Sequence, residues 1–101
     1  MCEKPLGMNA QEVKTMYSLA KQKNLFLMEA LWSRCLPSYK KLKDLLANSN
    51  IGEVKHCTAQ LSLDILGTTN LSGGCIRDLG IYPVYFASLV FRGQRPTKIL
   101  G

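Results

Sequence analysis

Leu25-Phe26-Leu27-Met28 is a continuous apolar run of strand length, set between Asn24 and Glu29. A hairpin strand with one wet face alternates apolar and polar residues, whereas a parallel strand covered on both faces is apolar throughout. The run therefore predicts a buried parallel strand over 25–29. Upstream, Asn9 stands three residues before Glu12, a capping-box-like start, and Val13, Met16, Tyr17 and Ala20 follow at the i, i+3, i+4, i+7 spacing of one helical face. That spacing predicts a helix over 10–23 with one face to bury and Asn24 as its end. A buried strand needs hydrogen-bonded neighbours, and ahead of this helix only Met1-Cys2 offers strand material.

Downstream, Leu31 to Arg34 fits no single pattern. After Pro37 the spacing of Leu42, Leu45 and Leu46, with Lys40, Lys41 and Lys43 between and before them, predicts a second helix over 37–47, stopped by Asn48 to Gly52. Glu53 to Leu63 alternates: Val54, His56, Thr58, Gln60 and Ser62 fall on one side, and Lys55, Cys57, Ala59, Leu61 and Leu63 on the other. The pattern predicts a strand whose more apolar side meets a helix. Gly67 to Gly74 reads as a loop. Cys75 to Phe91 reads as helical, with breaks at Gly80 and Pro83, and Lys98-Ile99-Leu100 in the tail reads as the first residues of a further strand. Strand or loop, helix, strand, helix, strand, helix is the order of an α/β protein.

Composition narrows the class without choosing a function. The 101 residues are 47% hydrophobic and 20% charged, as in ordinary globular proteins, and fit one domain by length. Thirteen Lys and Arg against seven Asp and Glu give a net charge of +6. The lysines of 40–43 sit opposite leucines, which is the arrangement of a solvated helix face. No aromatic and basic interleaving points to nucleic acid. Cys2, Cys35, Cys57 and Cys75 form no C-x-x-C pair, which argues against a zinc site and for a reducing compartment. Glu3 and Pro5 interrupt any signal-peptide pattern, and Leu79 to Phe91 is shorter than the roughly 20 residues of a membrane span. The chain is expected to be cytoplasmic, with neither nucleic acid nor membrane as partner and no metal.

Four places carry residues able to do chemistry. A proline after Lys4 can fix a sharp turn that aims the ammonium into a cleft, although Lys-Pro is also a common surface dipeptide. Asp78 and Tyr82 are four apart and share a face if the segment is one helix; a nearby ammonium would favour the phenolate of Tyr82 and make it a proton acceptor. From spacing alone Asp78 equally reads as a helix cap and Tyr82 as a core aromatic. Gly73-Gly74 before a helix allows close approach of an anionic ligand. Trp32 and Arg34 flank Ser33 just past the expected strand, where α/β proteins place ligands. His56, the single histidine, lacks partners for a triad or a metal and reads as structural.

Cys2-Glu3-Lys4-Pro5-Leu6-Gly7, Leu25 to Arg34 and Gly73 to Tyr82, in this order and at these separations, resemble the glucose-fructose oxidoreductase and inositol dehydrogenase family. The resemblance implies an α/β chain: the C-terminal end of a Rossmann NAD(P)-binding domain (1–34) joined to the start of the family's α+β substrate and dimerisation domain (35–101). It implies hydride transfer between a diol or sugar carbon and NADP. Lys4 becomes the lysine of the Glu-Lys-Pro motif, with Glu3, Lys4 and Pro5 beside the cofactor. Asp78 becomes the motif carboxylate, and Tyr82 takes the acid/base position that many relatives fill with histidine. Tyrosine there points to the branch acting on trans-dihydrodiols, and Trp32 matches an aromatic that lines the substrate pocket of that branch.

The family's Gly-x-Gly-x-x-Gly turn has no counterpart in these residues. The expectation is an internal portion of a dehydrogenase, missing both ends, inactive as it stands and binding NADP weakly or not at all. The alternative is a non-catalytic short form that pairs with a full-length relative, as a homo- or hetero-dimer.

Overall fold

The computed structural model of the chain describes residues 1–63 and 74–100. The expected loop from Gly67 lies outside these residues up to Gly73, and so does Gly73 of the expected glycine pair. Two compact units are present: Met1–Trp32 with Ile65–Ile81, and Ser33–Asp64 with Tyr82–Gly101.

The first unit is built on a βαβ element. Strand β1 (Cys2–Glu3) leads through a loop into helix α1 (Ala10–Gln22), and the chain returns to strand β2 (Glu29–Ala30), which pairs with β1 in parallel, Cys2 opposite Glu29 and Glu3 opposite Ala30. Asn9 starts α1 as expected. Its Oδ1 accepts the Glu12 backbone N–H at 2.9 Å, while the Glu12 carboxylate accepts from Asn9 Nδ2 at 2.9 Å and from the Met8 N–H at 2.8 Å. This satisfies otherwise orphan donors and sets a negative charge at the helix N-terminus. The unit closes with the short helix α3 (Cys75–Leu79). Leu6 and Leu31 are its buried apolar side chains among the described residues.

The strand expected over 25–29 is corrected. Leu25, Phe26 and Met28 are 67%, 77% and 44% exposed, and pairing begins only at Glu29. The parallel sense is as expected, but the ladder is short because its partner offers only Cys2 and Glu3. From the apolar run the Met28 carbonyl is engaged, by the Cys2 N–H at 2.9 Å.

The second unit contains most of a 3-10 turn (Trp32–Cys35), helix α2 (Pro37–Ala47) and helix α4 (Ile81–Val90). Pro37 occupies the first turn of α2, where a missing N–H costs nothing. Leu46 and Val90 are buried, Leu42 and Leu45 half-buried, and Lys40, Lys41 and Lys43 exposed, the face assignment read from the sequence. Tyr39 stacks on Tyr85 with centroids 5.8 Å apart and meets Phe86 edge-on at 6.2 Å.

Pro83 does not break the helix as expected. It stands third in α4, within the turn whose N–H groups have no intrahelical acceptor, so the interruption falls at Gly80 alone. Among the described residues no strand ladder forms over 53–63 or at Lys98-Ile99-Leu100. Residues 53–63 nevertheless keep the period of a strand in their side chains. Lys55 bonds Glu53 at 2.5 Å, His56 bonds Thr58 at 3.0 Å, and Gln60 bonds Ser62 at 3.3 Å, each pair two positions apart.

Helices α1, α2 and α4 share one ending. Asn24, Ser49 and Arg92 have φ of 53°, 56° and 53°, and the next N–H in each case reaches back to the third-last helical carbonyl: Leu25 to Ala20 at 2.8 Å, Asn50 to Leu45 at 3.1 Å, Gly93 to Ser88 at 2.7 Å. These are Schellman motifs with a non-glycine residue in the left-handed position.

Candidate active site

The loop from β1 to α1 carries Lys4, joined to Pro5 by a cis peptide bond. The Lys4 ammonium donates to Asp78 Oδ1 at 2.5 Å and to the Asp78 backbone carbonyl at 2.6 Å. Both side chains are largely withdrawn from water, at 15% and 29% exposure. A carbonyl in the last turn of a helix lacks an intrahelical donor, so Lys4 both neutralises the carboxylate and caps the end of α3. Two bonds to one residue fix the ammonium in direction as well as position.

Asp78 is placed by the start of α3. Gly74, with φ 100° and ψ 175°, takes a backbone conformation open essentially only to glycine, and its carbonyl accepts the N–H of Arg77 at 3.1 Å and of Asp78 at 3.2 Å. On the other side of Lys4, the Leu6 N–H donates to Glu29 Oε1 at 2.8 Å, and the Leu6 side chain is buried. A methyl group added at Gly7 would lie 3.1 Å from Val13 Cγ2 and 3.3 Å from Glu12 Cβ, so the loop runs hard against α1. Pro5 is half-buried and Glu3 exposed.

Of the residues singled out in the sequence, Lys4 and Asp78 are brought into contact. Trp32 also belongs to the first unit and is 59% exposed. Tyr82 belongs to the second unit, half-buried, where it lines an open cavity of about 290 Å³ together with Tyr39, Gln60, Leu61 and Phe86. Asp78 lies in α3 and Tyr82 in α4, so the shared face expected of a single helix does not apply. Arg34 holds its guanidinium 5.3 Å from the centre of the Tyr85 ring. His56 is exposed, and its ring lies 3.0 Å from the hydroxyl of Thr58 two positions on.

Among the described residues no group of three His, Cys, Asp or Glu could hold a metal ion, and the four cysteines are free thiols. No described helix is long and apolar enough to cross a membrane. Glu29 was not singled out by the sequence. Its one signal was a carboxylate closing an apolar run, at a position where a buried strand would continue with an apolar residue.

An ammonium held in a fixed direction can stabilise negative charge developing on an oxygen without reorganising during the reaction. No protein-family model matches the chain. Over 98% of its length it is 44% identical to trans-1,2-dihydrobenzene-1,2-diol dehydrogenase of Oryctolagus cuniculus, 40% to that of Xenopus tropicalis and 39% to that of Homo sapiens. The chain spans about a third of the length of these relatives, 32%, 32% and 31% respectively. The similarity to these proteins thus runs through nearly the whole chain and is not confined to three blocks of sequence.

Proposed function

We propose that this chain is part of an oxidoreductase of the glucose-fructose oxidoreductase and inositol dehydrogenase family, one that transfers hydride between the carbon of a trans-dihydrodiol, or of an aldose, and NADP. In this reading residues 1–34 belong to the dinucleotide-binding domain and 35–101 to the substrate and dimerisation domain. The similarity to dihydrodiol dehydrogenases supports it. The observation that carries it is the pairing of Lys4 with Asp78, two residues of separate motif blocks 74 positions apart.

Lys4 supplies the fixed cation, Asp78 holds it, and Tyr82 is the proton acceptor for the substrate hydroxyl. Trp32 offers the substrate an aromatic surface, and Glu3 and Pro5 flank Lys4 on the cofactor side. A positioned proton acceptor of this kind contributes about 10²- to 10⁴-fold to turnover.

The described residues do not fit the pyrophosphate of a dinucleotide. The N-terminus of α1 already holds the Glu12 carboxylate and the Asn9 amide, and the sequence contains no Gly-x-Gly-x-x-Gly. The 101-residue chain by itself is therefore expected to bind NADPH weakly and to turn over no diol. Micromolar affinity in a fluorescence titration would contradict this.

The test is a chimera in which these residues replace the aligned third of the Oryctolagus cuniculus relative. Lys4→Ala and Tyr82→Phe should each lower diol oxidation at least about 100-fold, and the double variant should lose little more than either, because groups that act on one proton transfer are not additive. Single losses below about tenfold would rule out both roles.

A second reading is favoured by the exposure of Leu25, Phe26 and Met28 beside a sheet that has two strands among the described residues: a short, non-catalytic chain that docks on a full-length relative. Co-purification with such a relative, abolished by Phe26→Asp, would support it; a monodisperse monomer in the presence of the relative would not.

A further inference from the structure

We infer that Glu29 is the positioning residue for Lys4, clasping from strand β2 the far side of the loop that carries it. The inference rests on reading Lys4 as the reactive cation, but its geometry stands apart from that reading. Glu29 is the ladder partner of Cys2, two residues before Lys4, and its carboxylate accepts the N–H of Leu6, two residues after Lys4. Glu29 thus stands in register with the near flank of the segment, where the Cys2 N–H bonds the carbonyl of its neighbour Met28, and itself holds the far flank through Leu6, with the lysine between.

The chain needs such a clasp at this point. The β1–β2 ladder ends at Glu3 and Ala30, and Pro5 has no N–H to extend it. Leu6 offers the next donor beyond that proline, and its side chain is buried, so this N–H must find an acceptor inside the protein. A carboxylate is the stronger acceptor for it, and a strand residue is a rigid place from which to present one. Asp78 fixes the tip of the lysine; Glu29 fixes the backbone from which it springs. Without Glu29 the Lys4 side chain would have to search for Asp78 from a mobile base.

The test reads the lysine itself. In the 101-residue chain, reductive methylation followed residue by residue by mass spectrometry should label Lys4 slowly and the exposed Lys14, Lys21 and Lys40 fast. Glu29→Ala should raise the rate at Lys4 at least about tenfold, the effect of losing one hydrogen bond to a charged group, with the other lysines and the helical circular dichroism unchanged. Glu29→Gln keeps a carbonyl oxygen and should restore most of the protection. Asp78→Asn serves as the positive control for release of the ammonium. An unchanged rate at Lys4 in Glu29→Ala would overturn the inference, as would a uniform rise at every lysine, which would make Glu29 a general stability residue. Failure of the chimera to lose turnover in Lys4→Ala would instead remove the catalytic reading of Lys4 and leave the clasp intact.

Discussion

Lys4 and Asp78 are 74 positions apart, yet the lysine ammonium rests on both the carboxylate and the backbone carbonyl of that one aspartate. Replacing the carboxylate by an amide of the same shape keeps the carbonyl contact and removes the charge. Asp78→Asn should lower unfolding free energy by about 1–3 kcal/mol, the range for removing one side of a largely buried charge-assisted bond. Urea denaturation monitored by circular dichroism measures it. The Glu53–Lys55 pair, 77% and 75% exposed, is the internal contrast: Glu53→Gln should change stability by no more than about 0.5 kcal/mol.

Gly80 is required by space. Its φ of −62° is open to any residue, but a Cβ there would overlap the backbone carbonyl oxygen of Ile76. Gly80→Ala must push apart the last turn of α3, two residues from Asp78, and should destabilise by about 1–3 kcal/mol. A change of less than about 0.5 kcal/mol in the same denaturation would show that the turn relaxes freely.

Some features of the fold were legible in the sequence and others were not, for a physical reason. Helices α1 and α2 appeared within a residue of their observed bounds because their signals are local: Asn9 and Glu12 cap one, Pro37 opens the other, and leucines face lysines along it. Strands are defined by partners elsewhere in the chain. The run Leu25 to Met28 had the composition of a strand but a neighbour only two residues long, so pairing fell on Glu29 and Ala30. Over 53–63 the alternation was read correctly at the level of side chains, as the bonds two positions apart show, and the ladder that would make it a strand was not formed. Lys4 and Asp78 were legible as a pair through family resemblance alone, since nothing in their spacing links them, and Glu29 was passed over because a single carboxylate after an apolar run has many structural uses.

Ser49 offers a stabilising change. It sits at φ 56° as the left-handed residue of the motif that ends α2, is exposed, and pays the steric cost of a Cβ in that conformation. Ser49→Gly should gain about 0.5–1 kcal/mol, the strain relieved less the added freedom of glycine in the unfolded chain. A shift of the thermal midpoint upward by a few degrees would show it.

Tyr85 stacks against Tyr39, but its buried hydroxyl has no hydrogen-bond partner among the described residues. Tyr85→Phe removes an oxygen stripped of water without compensation and keeps the ring, so stability should hold or rise by up to about 1 kcal/mol. Tyr85→Leu loses the stack as well and should fall by about 0.5–1.5 kcal/mol beyond any lost area. The order Phe above Tyr above Leu in urea midpoints is the expected result.

Leu6 and Leu31 in one unit and Leu46 and Val90 in the other are the apolar side chains buried among the described residues. Since the heat capacity change on unfolding grows with the apolar surface released, each unit should show a small one. Its calorimetric peak would be low and wide, and its stability would vary little with temperature over the ordinary range, so that bonds such as those of Glu29 and Asp78 weigh more in holding these units than similar bonds would in a protein with a deep interior.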